Sequence, residues 1–274
     1  MANTIQDAMA SAGLQPHKPL ELIADGRILR FRLAGDKSGS RNGWAVLHDG
    51  PSPFGAFGSW KTGETHTWRE ATSKPLTAVD LADIQRRTRA MKQAHALERE
   101  AVQAEARDKA QRLWGRAKPA TNAHPYLERK RVNAYGLRAL RDMLLVPARD
   151  LEGTLHTLQF ISADGTKRFL TGGRIAGCYY AIGRPGDSLL IAEGVATAAT
   201  LYQATGQAVA ACFSCGNLEG VARALRHKFP ALRLVLCADH DANTFGNPGL
   251  TKAHAAAKAV GGYLAVPKFK AVTP

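Results

Sequence analysis

The sequence predicts an α/β protein. Its C-terminal part is a parallel sheet flanked by helices, preceded by a basic α+β subdomain, a long helix and a small N-terminal β-rich domain. Three observations predict this. From Ser188 onward, short uninterrupted apolar runs alternate with helical stretches, the pattern of parallel strands covered on both faces. Between Leu76 and Gly115 there is neither glycine nor proline, and Ala, Gln, Glu, Lys and Arg dominate, as in one long helix. Around Ile28, apolar and basic residues alternate with period two, as in half-buried antiparallel strands.

Residues 1–19 form an N-terminal segment without a basic stretch leading into an apolar run, so no secretory leader is expected. Residues 20–72 read as the β-rich domain. In "GRILRFRLAG", Ile28, Leu29, Phe31 and Leu33 alternate with Arg27, Arg30 and Arg32. "GWAVLHDG" and "FGAFGSWKTG" follow, each bounded by glycines. Trp44, Phe57, Trp60 and Trp68 are expected to build its core, because a small domain needs large side chains to bury enough area. Stacking on nucleic-acid bases is the functional alternative.

Residues 73–116 are the helical linker, with Thr77 or Ser73 as N-cap. Its apolar stripe is thin (Leu81, Ile84, Met91, Leu97, Val102, Leu113), which predicts a partly exposed helix. Residues 117–186 are the basic subdomain. "NAHPYLERKRV" is a short helix carrying Arg129, Lys130 and Arg131, and "MLLVPARD" is a strand. "LHTLQFI" and "RFL" form a hairpin across Asp164-Gly165, and "GCYYAIG" is another short strand. In residues 187–274 the predicted order is "SLLIAEG" strand, "VATAATLYQAT" helix, "AVAACF" strand, "LEGVARALRHKF" helix, "LRLVLCAD" strand, "NPGLTKAHAAAKAV" helix and "YLAVP" strand.

Charge narrows the function. Lys and Arg number 37 against 23 Asp and Glu, a net +14, which favours polyanionic partners, nucleic acid first. No run of 18 apolar residues is present, so no membrane span is expected. The four cysteines, Cys178, Cys212, Cys215 and Cys237, do not look like a disulfide framework, and a reducing cytoplasm is the simpler location. Cys212 and Cys215 form a lone CxxC. Without a second pair it is expected to be structural, redox and half-zinc roles being the alternatives.

Against this charge, "LLIAEG" places Glu193 just past one strand, and "LVLCADHD" places Asp239 and Asp241 just past another. If the strands are neighbours, three carboxylates converge at the carboxyl edge, where open α/β sheets bind ligands. Residues i and i+2 of an extended segment face the same way, so both aspartates can face one ion while His240 points away. Converging hard oxygen ligands suit Mg²⁺ or Mn²⁺, which share phosphate oxygens with their ligands.

Strand-Glu-Gly-helix followed by strand-Asp-x-Asp, over roughly residues 187–266, resembles the Toprim domain of bacterial-type primases, topoisomerases and some nucleases. No P-loop is visible, and the basic stretch before the sheet resembles the corresponding subdomain of plasmid- and phage-type primases. That resemblance implies primer synthesis on single-stranded DNA from ribonucleoside triphosphates, with a replicative helicase as a further partner. Glu193, Asp239 and Asp241 would be catalytic and metal-binding, and Gly194 would let the backbone turn beside phosphates. Lys167, Arg168, Arg174, Arg129, Lys130 and Arg131 would bind nucleotide or template. Residues 20–68 resemble the β-layout of a primase zinc ribbon but hold no cysteine, so no zinc is expected. Arg41, Trp44, Trp60 and Lys61 would still contact template there. A Toprim nuclease and a non-catalytic single-stranded-DNA-binding accessory are the alternatives.

Overall fold

Thr4 opens the first helix. Its hydroxyl accepts from the Asp7 amide, and the Asp7 carboxylate accepts from the Thr4 amide, a capping box that starts α1 (Ile5–Ser11). The computed structural model describes residues 4–36, 38–50, 53–59, 64–70, 77–239, 244 and 246–267. The chain divides into two units, residues 1–97 and 98–274.

In the first unit, β1 (Leu29–Phe31), β2 (Gly43–His48), β3 (Phe54–Ser59) and β4 (Thr65–Arg69) form an antiparallel meander. Phe31, Leu33, Ala45 and Phe57 bury one face against Ile5, Met9 and Leu14, with Trp68 packed at the margin. The N-terminal segment is therefore part of this core, through a helix with a T-x-x-D start. The period-two reading fails at Ile28 and Leu29, which are exposed. Only three residues of that run are strand, so the alternation buries Phe31 and Leu33 alone. Trp44 is half-buried on β2 opposite Gly58, where a Cβ would collide with the Glu64 carbonyl oxygen and come within 2.9 Å of the indole.

The long helix α2 runs from Ala78 to Arg116. Leu81, Leu97 and Val102 of its expected stripe are exposed. Its C-terminal turns pack instead through Ala106, Ala110, Leu113 and Trp114, small residues that let the helix lie close to a sheet. The side chains of Ile84 and Met91, and Ser73 entirely, lie outside the described residues.

In the second unit, β5 (Lys118–Pro119), β6 (Arg138–Leu140), β7 (Met143–Arg149), β8 (Leu155–Ile161) and β9 (Lys167–Phe169) form an antiparallel meander, with α3 (Pro125–Lys130) between β5 and β6. β7 and β8 are buried on both faces, which is why "MLLV" and "LHTLQFI" do not alternate. Leu145 and Leu158 face α2, while Leu144, Val146 and Ile161 face the opposite way. Arg138 and Arg149 lie over the Trp114 ring at 4.7 and 5.9 Å, so part of the basic stretch is spent on packing.

The remaining elements are β10 (Tyr180–Ile182), β11 (Ser188–Ala192), α4 (Val195–Thr205), β12 (Val209–Ala211), α5 (Leu218–Lys228), β13 (Arg233–Cys237), α6 (Pro248–Val260) and β14 (Tyr263–Ala265). They form a sheet in the order β10-β12-β11-β13-β14, in which β11 to β14 are parallel and β10 joins antiparallel. The strand before residue 187 thus belongs to this sheet. Alternate residues divide its faces. Leu190, Ala192, Val209 and Ala211 pack with α4 and with Leu144 and Ile161 of the meander, so the two sheets share one core. Leu189, Ile191, Ala210, Leu234 and Leu236 pack under α5 and α6. At the amino ends of the strands, the Arg226 guanidinium donates to the carbonyls of Val260 (3.0 Å), Pro230 (2.8 Å) and Leu232 (2.7 Å).

Candidate active site at the carboxyl edge

β11 and β13 are hydrogen-bonded neighbours in parallel register, with Ala192 opposite Cys237. Glu193 leaves β11 one residue beyond that pair, and Asp239 leaves β13 two residues beyond it. From β11 the chain passes through α4 to β12 on one side; from β13 it passes through α6 to β14 on the other. This divergence is a topological switch point, the crevice in which open α/β sheets hold ligands. Glu193 and Asp239 are both half-buried there. Asp241 and His240 lie outside the described residues.

The carboxylates impress their charge on neighbouring thiols. Burial, reinforced by Glu193, raises the thiols of Cys212 and Cys215 above the ordinary cysteine range. Burial pushes Cys237 up to about 11, with Asp239 adding to it. Both shifts run opposite to that of an activated redox cysteine.

Beside Asp239 opens a cleft of about 680 Å³ lined by Lys130, Thr197, Thr200, Leu201 and Val266 among others. Gly194 is the N-cap of α4 and is extended (φ −102°, ψ 149°), a conformation open to any residue. A Cβ there would meet only Thr197 Oγ1, at 3.5 Å. The expected need for glycine in the turn itself is thus not met. The α4 N-terminus carries no side-chain cap, and such an end favours anions.

The predicted basic residues separate into groups. Lys130 lines the cleft. Arg129 donates to the Ala163 carbonyl at 3.0 Å and lies 5.9 Å from the Tyr126 ring centre, and Lys167 sits 5.8 Å from the same ring. Arg131 ends α3 in the left-handed region, and its carbonyl accepts from Gln203 at 3.4 Å. Lys167 and Arg168 are exposed on β9. Arg174 instead turns to the Asp150 carboxylate at 3.1 Å, beside His156, whose Nε2 lies 2.6 Å from the same oxygen. In the first unit, Arg41 is exposed and exchanges guanidinium-to-carbonyl bonds with Arg30 (3.1 and 3.3 Å). Trp60 and Lys61 lie outside the described residues.

Two residues at this edge escaped the sequence reading. Phe213, just past β12, has φ +70° and meets Phe169 of β9 edge-on, ring centres 5.5 Å apart. Asn217 is buried. Its amide nitrogen donates to the carbonyls of Cys178 (2.8 Å), Cys212 (2.9 Å) and Ile175 (3.2 Å), and its oxygen accepts from the Gly177 amide (2.9 Å). Neither obeys a periodicity, and both act through non-local partners.

The donor chemistry of this edge fits a hard divalent cation, since carboxylates follow adjacent strand ends. Among the described residues no group of three or more His, Cys, Asp or Glu side chains could hold a metal, Asp241 lying outside them. No helix among the described residues is long and apolar enough to cross a membrane.

A family model described as Toprim domain matches residues 188–267, the stretch that contains the switch point. Residues 188–267 are thus similar to a Toprim domain. The acidic edge of this stretch is the one that carries Glu193 and Asp239. This stretch and the residues before it align with two Escherichia coli proteins, each named DNA primase TraC. One is 38% identical over 90% of this chain and 24% of its own length; the other is 37% identical over 96% and 19%. The chain thus spans about a quarter or less of these relatives. Among solved structures, the primase fragment of the bacteriophage T7 primase-helicase protein matches 57% of this chain and 68% of its own, at 14% identity and a TM-score of 0.43.

Proposed function

We propose that this chain is the catalytic core of a DNA primase, making short RNA primers on single-stranded DNA from ribonucleoside triphosphates. The observation that carries the reading is the placement of Glu193 and Asp239 past adjacent strand ends at a switch point, in a stretch that matches the Toprim domain model and a chain that aligns over nine-tenths of its length with a DNA primase. Glu193, Asp239 and Asp241 would hold Mg²⁺ or Mn²⁺. The ion supplies charge neutralisation at the attacking and leaving oxygens of in-line displacement. Glu193 would complete the metal site or accept the proton of the attacking 3′-hydroxyl. Lys130 and the uncapped α4 N-terminus would hold phosphates at the cleft, with Arg129 and Arg131 near by. Lys167 and Arg168 would hold the template backbone. Arg174, half-exposed beside Asp150, would be a further phosphate contact. Arg41 and Trp44, with Trp60 and Lys61, would contact template from the first unit. A replicative helicase is the partner expected, and the cytoplasm the place.

The test is primer synthesis on a single-stranded template with labelled ribonucleotides and Mg²⁺ or Mn²⁺. Short products that disappear in Glu193→Gln support the reading. Template degradation lost in the same variant would make the protein a nuclease, and tight binding with neither activity would make it an accessory.

A further inference from the structure

We infer that Phe213 is a positioning residue: through Phe169 it clasps the basic edge strand β9 to the carboxyl edge of the Toprim sheet. This rests on the primase reading for its function, and on the following geometry for its place. β9 is the last strand of its sheet, with β8 on one side only. It carries Lys167 and Arg168, both exposed, and Phe169, half-buried. Its hairpin is held by the Ser162–Thr166 turn, whose Asp164 carboxylate accepts from the Thr166 amide and hydroxyl, each at 2.9 Å. Those bonds fix the tip of the hairpin and leave the outer edge of β9 to be set by something else. The edge-on contact of Phe169 with Phe213 supplies it.

Phe213 lies at the end of β12, in the loop whose thiols feel the Glu193 charge. It holds φ +70°, where a side chain is strained and glycine is not. Such a conformation persists only where its surroundings over-determine it. Here they do. Asn217 ties the Cys212 carbonyl on one side of Phe213 to the Ile175–Cys178 segment. The loop is thus locked in a shape that costs backbone strain and presents one aromatic ring to one aromatic ring. The product of that arrangement is a set spacing between the two template-binding cations and the acidic edge.

Fluorescence anisotropy of a labelled single-stranded DNA oligonucleotide, titrated with the full chain over a range of salt, tests this. Phe213→Gly removes the ring and relieves the strain; Phe169→Ala removes the partner ring and leaves the strained backbone alone. Both are expected to weaken template binding about tenfold and to flatten the salt dependence by about 0.7 to 1.4, the loss of one to two phosphate contacts. In primer synthesis, KM for template rises while kcat stays within about threefold, as expected when binding is lost without loss of chemistry. Phe213→Tyr keeps the ring and retains the wild-type slope. Added to Lys167→Ala/Arg168→Ala, Phe213→Gly brings no further loss, because both act on the same contacts. Wild-type affinity and slope in the two ring variants would overturn the inference, as would a fully additive loss, or a Lys167→Ala/Arg168→Ala protein that binds normally. If Phe213→Gly fails to melt cooperatively, Phe169→Ala decides. A wild-type chain that binds template with the predicted slope pattern and makes no primers sinks the primase reading and leaves the clasp standing.

Discussion

Replacing Asn217 by alanine should destabilise the second unit by about 3 kcal/mol. The amide has two N–H donors shared among the Cys178, Cys212 and Ile175 carbonyls, and one oxygen accepting from Gly177. That is three hydrogen bonds' worth, at about 1 kcal/mol each net of water. The residue is only 8% exposed, so the stranded groups gain little solvent in compensation. In a unit of this size about 3 kcal/mol corresponds to a fall in melting temperature of about 6 to 12 °C. Differential scanning calorimetry of the full chain measures it. Asn217→Asp sharpens the test. It keeps the shape but points carboxylate oxygens at carbonyl oxygens, so it must be worse than alanine. If Asn217→Ala melts within a degree of wild type, or Asn217→Asp is the milder change, the four bonds do not hold this loop and the over-determination of Phe213 loses its basis.

Three further outcomes follow from the same geometry. Burial raises the Asp150 carboxyl, but hydrogen bonds from His156 and the Thr154 amide, with the charges of His156 and Arg174, outweigh it and hold it below the ordinary range. A lowered carboxyl stabilises the fold above the ordinary carboxylate range and loses that contribution as pH falls through the folded value. Asp150→Asn should therefore cost about 2 kcal/mol at pH 7 in urea titrations, a charge-assisted bond's worth, and the gap should close in acid. Glu193→Gln removes one of the causes that raise the Cys215 thiol, so its rate of reaction with a disulfide reagent should rise at lower pH than in wild type. Identical pH–rate curves would show that Glu193 does not face that loop. Gly58→Ala should destabilise the first unit by about 1 to 3 kcal/mol through overpacking, because the carbonyl it meets is backbone and cannot swing aside.

What the sequence could and could not reveal follows from the range of the forces involved. The helices and strands from Ser188 to Ala265 were readable nearly to the residue, because each is bounded by its own glycine, proline or polar cap and filled by its own apolar run. The acidic edge was legible for the same reason: Glu193 and Asp239 each end a strand, and only the neighbouring of β11 and β13 had to be supplied by the fold. The placement of β10 was not legible, since an apolar triplet does not say which sheet it joins. The fate of Arg174 was hidden likewise. Its partner, the Asp150 carboxylate, stands 24 residues away in the chain, so no local pattern announces the pair. Ile28 and Leu29 misled because alternation predicts burial only where the strand continues. The packing of α2 escaped because alanines, which a hydrophobic stripe undervalues, carry it.

The Arg226 guanidinium at the amino ends of the strands bears on how this domain can change. It gathers carbonyls from the end of α6 and from the connection that leads into β13, so the connections at that end are laced to one side chain. At the opposite end Asn217 ties the loop after β12 to the Ile175–Cys178 segment in the same way. A single substitution of Arg226 therefore loosens the α5–β13 connection and the end of α6 together, as one of Asn217 loosens the loop after β12. Each end of the sheet thus hangs on one side chain, and a library that spares Arg226 and Asn217 should retain folded members at higher frequency than one diversified around either.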